Sequence, residues 1–426
     1  MAMSDLSEQP EKSIWLASGS RSNAKAVYRM LGNERLDKEE ILMAHRDAVD
    51  ARNEERILLA VQDTMSVNYN THEKTSGLGY NCEQTLGVNV HSCLLTTTQG
   101  IPIGVIAQSV TTRKEPVDQR SHHEKRMRKI EEKESFRWLE TMEIAAKNAP
   151  QNAELIHITD REGDIYELYA AAVRTGQKFV IRAIHNRMTA DGNHILDELE
   201  SSPEKGNIRI IIPENHKKKA REREAVLTLR FVNLDVKKPQ IRNSDQGLEA
   251  SLKLNLISLK EENPPQGQER IEWILITNLE LKTCGDALTV VDYYRHRWKI
   301  ERFHFVLKSG CEIEKIQQRN LNGIDLVILM YSIISIHIMM LTYLARNFPD
   351  TPCELILSES EWKTLYRAAN RTTIAPETPY SMADAVKYIA KLGGWNGSPS
   401  DGPPGLKVVW LGLNALFILN AYREFI

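Results

Sequence analysis

The stretch YYRHRWKIERFHFVLKSG, from Tyr293 to Gly310, surrounds a single carboxylate with basic and aromatic side chains. No Gly or Pro interrupts it before its last residue, so the spacing predicts a helix that turns about 100° per residue. Measured from Tyr294, the side chains of Arg297, Glu301 and Lys308 lie at roughly 300°, 340° and 320°, within one narrow arc. One face of the predicted helix therefore carries all four groups.

A separate apolar stripe allows this helix to pack on a core while its polar face remains available. Ile300, Phe303 and Leu307 follow the i, i+3, i+7 spacing of a core-facing stripe. The polar face has two interpretations. It is either a solvated face with i,i+4 ion pairs, as most charge runs are, or a carboxylate that holds a metal beside groups that bind an anion. The positions of other carboxylates decide between the two.

The composition is that of an ordinary globular protein. The chain has 426 residues, 42% of them hydrophobic, which suggests about three domains and a large core. A formal net charge of -2 gives no global electrostatic footprint for nucleic acid, so DNA binding must come from local basic clusters. Such clusters occur in the opening stretch and in residues 113–133 and 217–223. Each of them could equally be a solvated loop.

Cysteine usage and hydropathy predict the cellular compartment. The five cysteines are odd in number and lack C-x-x-C spacing, which favours reduced thiols in a cytoplasm over disulfides or a zinc site. The opening MAMSDLSEQPEK has no signal-peptide pattern. The run Leu326–Ala345 lacks Asp, Glu, Lys and Arg and is long enough to span a bilayer. Its Ser, His and Thr residues predict a buried core helix instead, so we expect no membrane partner.

Two carboxylates are predicted to end strands of one sheet. The apolar run Ile57–Val61 predicts a buried strand with Asp63 at its carboxyl end, and Leu155–Thr159 predicts a strand closed by Asp160. Residues 85–112 predict a hairpin, residues 122–148 a long helix, and residues 164–184 a helix followed by a strand. This order predicts an α/β fold, in which functional groups lie at the carboxyl ends of the strands.

The remaining chain predicts a β-rich insertion and a helical end. Residues 193–278 contain β segments separated by polar turns, between the α/β core and the Tyr294 helix. After Ala345 the pattern is helical, apart from the Gly- and Pro-rich residues 393–405.

Three acids, Asp63, Asp160 and Glu301, now suggest a common chemistry. Hydrolysis or transfer at a phosphodiester is helped by two divalent metals about 3.5–4 Å apart, which stabilise the attacking and leaving oxygens. Mg²⁺ prefers carboxylate oxygens and keeps several waters, so three acids without His or Cys ligands fit it.

Four ordered blocks resemble the DDE transposases of insertion-sequence family four. The spacing Tyr294-x2-Arg297-x3-Glu301-x6-Lys308 is similar to their Y-R-E-K signature. LLAVQDTMSVNY (residues 58–69) and HITDREGDIYELY (residues 157–169) resemble the two aspartate blocks of that family. EKESFRWLE (residues 132–140) resembles the block between them. The resemblance covers most of the chain.

The resemblance implies a ribonuclease-H-like mixed sheet core interrupted by a β-rich insertion, with helical N- and C-terminal regions. It implies that Asp63, Asp160 and Glu301 are catalytic and bind Mg²⁺, which Mn²⁺ can replace. It also implies boundaries: a helical remnant of a DNA-binding domain (1–56), two parts of the catalytic core (57–185 and 285–345), the insertion (186–284) and a helical dimerisation region (346–426).

The resemblance further implies which side chains bind DNA. Tyr294, Arg297 and Lys308 match residues that hold phosphates near the cut, where Arg supplies a bidentate fork and Lys a point charge. Arg182 matches a family Arg near the active site, with a surface Arg at a strand end as the alternative. Trp273 matches a Trp that stacks on a flipped base, an interaction worth about 1–3 kcal/mol, with a core Trp as the alternative.

The expected function is that of a cytoplasmic bacterial cut-and-paste transposase. It would cleave transposon ends, form hairpins and transfer strands as a homodimer on double-stranded DNA. The family's N-terminal helical domain should begin before DLSEQPEKSIWLASGS, so we expect a shortened N-terminus with weakened end recognition. The alternatives are a truncated inhibitor that dimerises with an intact transposase, and a host nuclease of the same fold.

Overall fold

Among the described residues, ten strands form a single mixed sheet. The computed structural model describes residues 20–33, 36–212, 222–239, 247–398 and 402–421, so the opening stretch and most of the basic cluster 217–223 lie outside the described residues. The strands are β1 (Ile57–Asn68), β2 (Gly79–Tyr80), β3 (Leu86–Thr97), β4 (Pro102–Thr111), β5 (Glu154–Thr159), β6 (Lys178–Arg182), β7 (Gly206–Ile212), β8 (Arg223–Lys237), β9 (Ser251–Glu261) and β10 (Glu272–Thr277).

The strand order is β4-β3-β1-β5-β6-β10-β9-β8-β7, and the short β2 also pairs with β3. β1, β5 and β6 are parallel to one another, whereas the remaining neighbours are antiparallel. Alternate residues of β1 enter different apolar clusters, Leu59 and Val61 in one and Leu58 and Ala60 in another. The sheet is therefore buried on both faces, which confirms the predicted mixed α/β architecture.

Twelve α-helices occur among the described residues, and most begin at a capping Ser, Thr, Asn or Asp, whose side chains satisfy free N–H groups. They are α1 (Arg21–Leu31), α2 (Lys38–Asp50), α3 (His122–Met127), α4 (Phe136–Lys147), α5 (Tyr166–Thr175), α6 (Ile195–Ser201), α7 (Cys284–Arg295), α8 (Trp298–Phe305), α9 (Leu321–Asn347), α10 (Glu359–Asn370), α11 (Met382–Leu392) and α12 (Leu406–Ala421).

The β-rich segment extends the core sheet instead of forming a separate sheet. β10 pairs on one side with β6 of the core and on the other with β9. The sequence pattern predicted the strands but could not show this pairing, because side-chain alternation does not identify the neighbouring strand. The segment predicted as an insertion is thus continuous with the strands that carry the acids.

Two predicted helices are interrupted in the structure. The predicted helix 122–148 is split into α3, a 3₁₀ turn at Ile130–Glu132 and α4. The charged residues between α3 and α4 offer no apolar face, and only α4 packs firmly, through Trp138 and Met142. The predicted helix beginning at Tyr293 is also split, because the chain leaves α7 at His296 and re-enters a helix at Trp298.

A hairpin turn meets this second break. His296 contacts the carbonyl of Thr98 through Nε2 at 3.0 Å. Gly100, in the turn between β3 and β4, has a φ of +78°, and a Cβ there would overlap the His296 ring. Glycine is therefore required both by the backbone conformation and by the close approach of the helix.

Helix α9 is the central core helix. Among the described residues it is the one helix long and apolar enough to cross a membrane, and 83% of its apolar window is buried within the fold. Its residues pack with those of β1, α8 and α11 in one cluster. This burial agrees with the predicted core helix.

The loop after β6 is fixed by one buried carboxylate. Asp164, 4% exposed, accepts hydrogen bonds from the N–H groups of Ile184 (2.6 Å) and His185 (2.8 Å) and from the Tyr169 hydroxyl (2.6 Å). It also pairs with Arg187. Burial alone would raise the pKa of Asp164, but Arg187 and these donors outweigh burial and hold the pKa below its ordinary value.

Asp164→Ala should lower the free energy of unfolding by about 3–5 kcal/mol, because it leaves the buried Arg187 without its partner. Urea unfolding measures the change. Since the folded-state pKa of Asp164 is lowered, its contribution should be present at neutral pH and decline as pH falls through the carboxyl range. Asp292→Ala, which removes an exposed ion pair with Arg295, should change stability by less than about 1 kcal/mol. Equal losses for the two variants would contradict this assignment.

Candidate functional site

Asp63 and Asp160 occupy neighbouring positions at one edge of the parallel strands. The pairing of β1 with β5 ends at Val61 and Ile158, which are direct partners, and each aspartate follows its partner residue by two. Adjacent strands are about 4.8 Å apart, and side chains two residues apart share a face. Both carboxylates therefore project from the sheet face that packs on α8, next to each other.

One expectation about Asp63 is corrected. β1 does not end near Asp63 but continues to Asn68, because β3 pairs with it antiparallel along its whole length. The polar residues after Val61 remain extended for that reason. Asp63 is nevertheless beyond the last residue paired with β5, so it lies at the carboxyl edge of the parallel pair as predicted.

The two aspartates repel each other. Burial and then the charge of Asp160 raise the pKa of Asp63 to about 7. The Thr64 N–H, which donates to Asp63 Oδ1 at 2.7 Å, and the nearby Arg297 act in the opposite direction. Asp160 accepts the N–H of Glu162 at 2.8 Å. The site thus holds more negative charge than its neighbours neutralise.

Glu301 is connected to this pair through a cation, Arg297. Arg297 donates from Nη2 to Glu301 Oε1 at 2.6 Å, and the Arg297 side chain is 9% exposed. Burial works against the charge of Arg297, but the bond with Glu301 and the proximity of Tyr294 and Asp63 hold its pKa above the ordinary value. The guanidinium therefore links Glu301 electrostatically to the aspartate pair.

Within the part of the chain that the structure describes, no three His, Cys, Asp or Glu side chains are placed to hold a metal ion together. The predicted site of Asp63, Asp160 and Glu301 remains a prediction. Two adjacent aspartates, of which Asp63 has a raised pKa, do fit a hard divalent cation, since it would supply positive charge to oxygen ligands. Glu301 Oε1 is held by Arg297, so Glu301 would complete such a site through Oε2 or by leaving Arg297.

Tyr294, Trp273 and Arg182 form the wall of the site. Burial raises the pKa of the Tyr294 phenol, the neighbouring Arg297 and Arg182 oppose this, and Asp160 adds to it. The Trp273 ring meets the Tyr294 ring edge-on at 5.5 Å between centroids. Arg182 donates from Nη2 to the Glu272 carbonyl at 2.9 Å. The structure thus brings together residues that the sequence could link only by resemblance.

Lys308 pairs with Glu314, towards the far end of β1. It belongs to a π turn, Val306–Gly310, that follows α8, and its Nζ is 3.6 Å from Oε1 of Glu314. Glu314 also accepts the N–H of Asn68, at the far end of β1. The interruption at His296 changes the angle between Tyr294 and the other three groups, and the wider π turn changes the angle between Lys308 and Arg297 and Glu301, so a uniform 100° step does not apply.

Arg137 was not singled out from the sequence, although it lies in the EKESFRWLE block. It projects from α4 and donates from Nε to Thr64 Oγ1 and from Nη2 to Glu162 Oε2, each at 2.9 Å. Both acceptors are close neighbours of the aspartates. No local pattern predicts these contacts, because Thr64 and Glu162 are distant from Arg137 in sequence.

Two family descriptions match the chain. Residues 137–336 match the transposase DDE domain, and residues 333–424 match the transposase Tn5 dimerisation domain. Asp160 and Glu301 lie inside the first match, and Asp63 lies upstream of it.

A solved structure described as the piggyBac transposase synaptic complex with hairpin DNA is also similar to this chain. The similarity covers 94% of this chain and 78% of that one, at 11% sequence identity and a TM-score of 0.34. A score this low carries no argument about fold or function.

Asp160→Asn should lower the pKa of Asp63 in the metal-free protein, because it removes the nearest repelling charge. A pH titration of the Asp63 carboxyl carbon by NMR measures the shift. Glu162→Gln, which removes a charge with a smaller effect on Asp63, should lower the pKa less. An unchanged titration in Asp160→Asn would show that the two carboxylates are not adjacent.

Proposed function

We propose, from the transposase DDE domain and the Tn5-type dimerisation domain that this chain carries, that it is a cut-and-paste DNA transposase. Its catalytic acids would be Asp63, Asp160 and Glu301, acting with Mg²⁺ or Mn²⁺. The observation that carries the proposal is the side-by-side placement of Asp63 and Asp160, next to the Arg297–Glu301 pair. The strand order β4-β3-β1-β5-β6 supports a ribonuclease-H-like core.

The acids would hold the metal, which when bound would supply Lewis-acid stabilisation to the attacking and leaving oxygens of a phosphodiester. Asp63 and Asp160 would provide oxygen ligands from two adjacent strands. Their adjacent charges favour cation binding, and because the pKa of Asp63 is raised to about 7, metal binding near neutral pH would release a proton.

Arg297 would exchange partners when DNA binds. In the described state it is held by Glu301. If Glu301 turns to a metal, the guanidinium loses its bonded carboxylate and is free to bind a phosphate oxygen in its place. Arg is suited to this exchange because its planar fork binds carboxylate and phosphate with the same geometry. Tyr294 and Arg182 would hold the neighbouring phosphate.

Trp273 would receive a flipped base during hairpin formation. Its ring is partly buried against Tyr294, at the edge of the site and not deep in a core. An aromatic face in that position can stack on a base whose phosphate is held by the neighbouring Arg182. The protein would act on DNA as a homodimer through its C-terminal dimerisation domain, in a bacterial cytoplasm.

Replacing any one of Asp63, Asp160 and Glu301 by Ala should abolish Mg²⁺-dependent cleavage of transposon-end DNA, because groups that act as a unit do not contribute additively. The double variants should be no worse than the single ones. Strand cleavage on labelled DNA measures the activity, and a gel shift checks that DNA binding survives. Glu280→Ala, at an exposed acid paired with Lys282, is the control. Full cleavage by Glu301→Ala would refute its assignment.

Trp273→Ala should leave the first nick intact and impair hairpin formation, because only the second step requires a flipped base. Trp273→Phe keeps an aromatic face and should retain much of the hairpin product. The ratio of hairpinned to nicked DNA measures the difference. Loss of soluble protein and of both products in Trp273→Ala would show instead that the residue only supports the fold.

A further inference from the structure

We propose that Arg137 is a positioning residue that fixes the separation of Asp63 and Asp160 and sets the direction of a buried hydrogen-bond chain behind them. This inference rests on the proposed function for the metal-binding role of the two aspartates. The hydrogen-bond chain is independent of that role.

The two aspartates need an external support because they belong to separate elements and repel each other. Asp63 lies on β1, and Asp160 begins the 3₁₀ turn after β5. Arg137 reaches both elements from α4: its Nε donates to Thr64, and its Nη2 donates to Glu162. The backbone N–H groups of those two residues in turn donate to Asp63 and Asp160. Arg137 is thus connected to each carboxylate through one intervening residue, Thr64 for Asp63 and Glu162 for Asp160.

The geometry of Arg137 makes this bridge rigid. A third donor, Nη1, bonds the Glu134 carbonyl of its own helix start at 2.9 Å, and the Arg137 side chain is 15% exposed. A guanidinium is planar, and its donors diverge at fixed angles. Lysine would donate from a single nitrogen on a flexible chain, so it would not fix the spacing between the two elements.

Arg137 also determines the direction of a longer chain of hydrogen bonds. Arginine can only donate, so the Thr64 hydroxyl accepts from it, and this favours donation of the hydroxyl's own proton to His91 Nδ1, 2.8 Å away. His91 then carries its proton on Nε2, which is 3.4 Å from Gln62 Oε1. The Gln62 amide nitrogen is 3.1 Å from Nδ1 of His157.

The same reasoning fixes the second histidine. His157 accepts at Nδ1 and carries its proton on Nε2, which donates to Gln177 Oε1 at 2.7 Å. The Gln177 amide donates to Thr175 Oγ1, and that hydroxyl donates to the Ala171 carbonyl. Each group donates in the same direction, away from Arg137. Burial lowers the pKa of both His91 and His157, which agrees with two neutral rings.

The test compares full-length Arg137→Ala, Arg137→Lys and Thr64→Val with wild type. Long-range nitrogen–proton NMR of the metal-free protein reports which ring nitrogen of His91 and His157 carries the proton, and calorimetry with Mg²⁺ reports metal affinity. Arg137→Ala should shift His91 from the Nε2–H form towards a mixture, because the Thr64 hydroxyl is then no longer polarised by Arg137 and becomes a weaker donor to Nδ1. Its Mg²⁺ affinity should fall roughly 10–100-fold, as for other residues that orient metal ligands.

Two variants separate positioning from general stability. Thr64→Val keeps the shape but removes the hydroxyl that joins Arg137 to His91, so it should alter His91 and reduce Mg²⁺ affinity while the Arg137–Glu162 bond survives. Arg137→Lys keeps the positive charge, so it should be soluble, but it should not recover the Mg²⁺ affinity that Arg137→Ala loses. Arg113→Ala removes the neighbouring ion pair with Glu134 and is the matched control, with no expected change in His91 or in Mg²⁺ binding.

Unchanged histidine protonation and unchanged Mg²⁺ affinity in Arg137→Ala would overturn the inference. A wild-type protein that shows the Nε2–H forms but neither binds Mg²⁺ nor cleaves DNA would instead refute the proposed function and the metal-positioning role, and leave the hydrogen-bond chain supported.

Discussion

The repulsion between Asp63 and Asp160 is the constraint on which the candidate site depends. The register of β1 and β5 places the two residues side by side, and partial burial strengthens their interaction because little water screens it. Such a pair is stable only if neighbouring donors, a proton or a cation offset its charge. In the metal-free protein, the negative charge is offset by the Thr64 N–H, by Arg297 and by the proton that Asp63 keeps because of its raised pKa.

Arg297 connects this pair to the third acid. A buried guanidinium requires anionic partners, and here it has Glu301 in direct contact and Asp63 nearby. In the proposed function, metal binding and phosphate binding would be coupled, because a cation at the aspartates would attract Glu301 and free Arg297 for a phosphate.

The continuity of the sheet explains how the β-rich segment contributes to the site. Because β10 pairs directly with β6, Trp273 and the Glu272 carbonyl lie next to Arg182 and Tyr294. Because the β-rich segment is part of the core sheet, the centroid of the Trp273 ring lies 5.5 Å from that of the Tyr294 ring. The dimerisation match begins within α9, the helix that packs against β1 and α8 in the same core. The shared helix therefore connects the dimerisation region physically to the strand that carries Asp63.

The sequence by itself determined most of the local elements, and it singled out the three candidate acids. Apolar runs predicted β1, β5 and the hairpin, and the Tyr294–Arg297–Glu301 spacing predicted a shared face because those residues lie within about two helical turns. Only the tertiary structure decided that Lys308 leaves this face at the π turn, that β1 continues past Asp63, and that Arg137 reaches Thr64 and Glu162. The physical reason is that periodicity records which residues face a core, whereas strand partners, helix breaks and long-range hydrogen bonds depend on residues far apart in the chain.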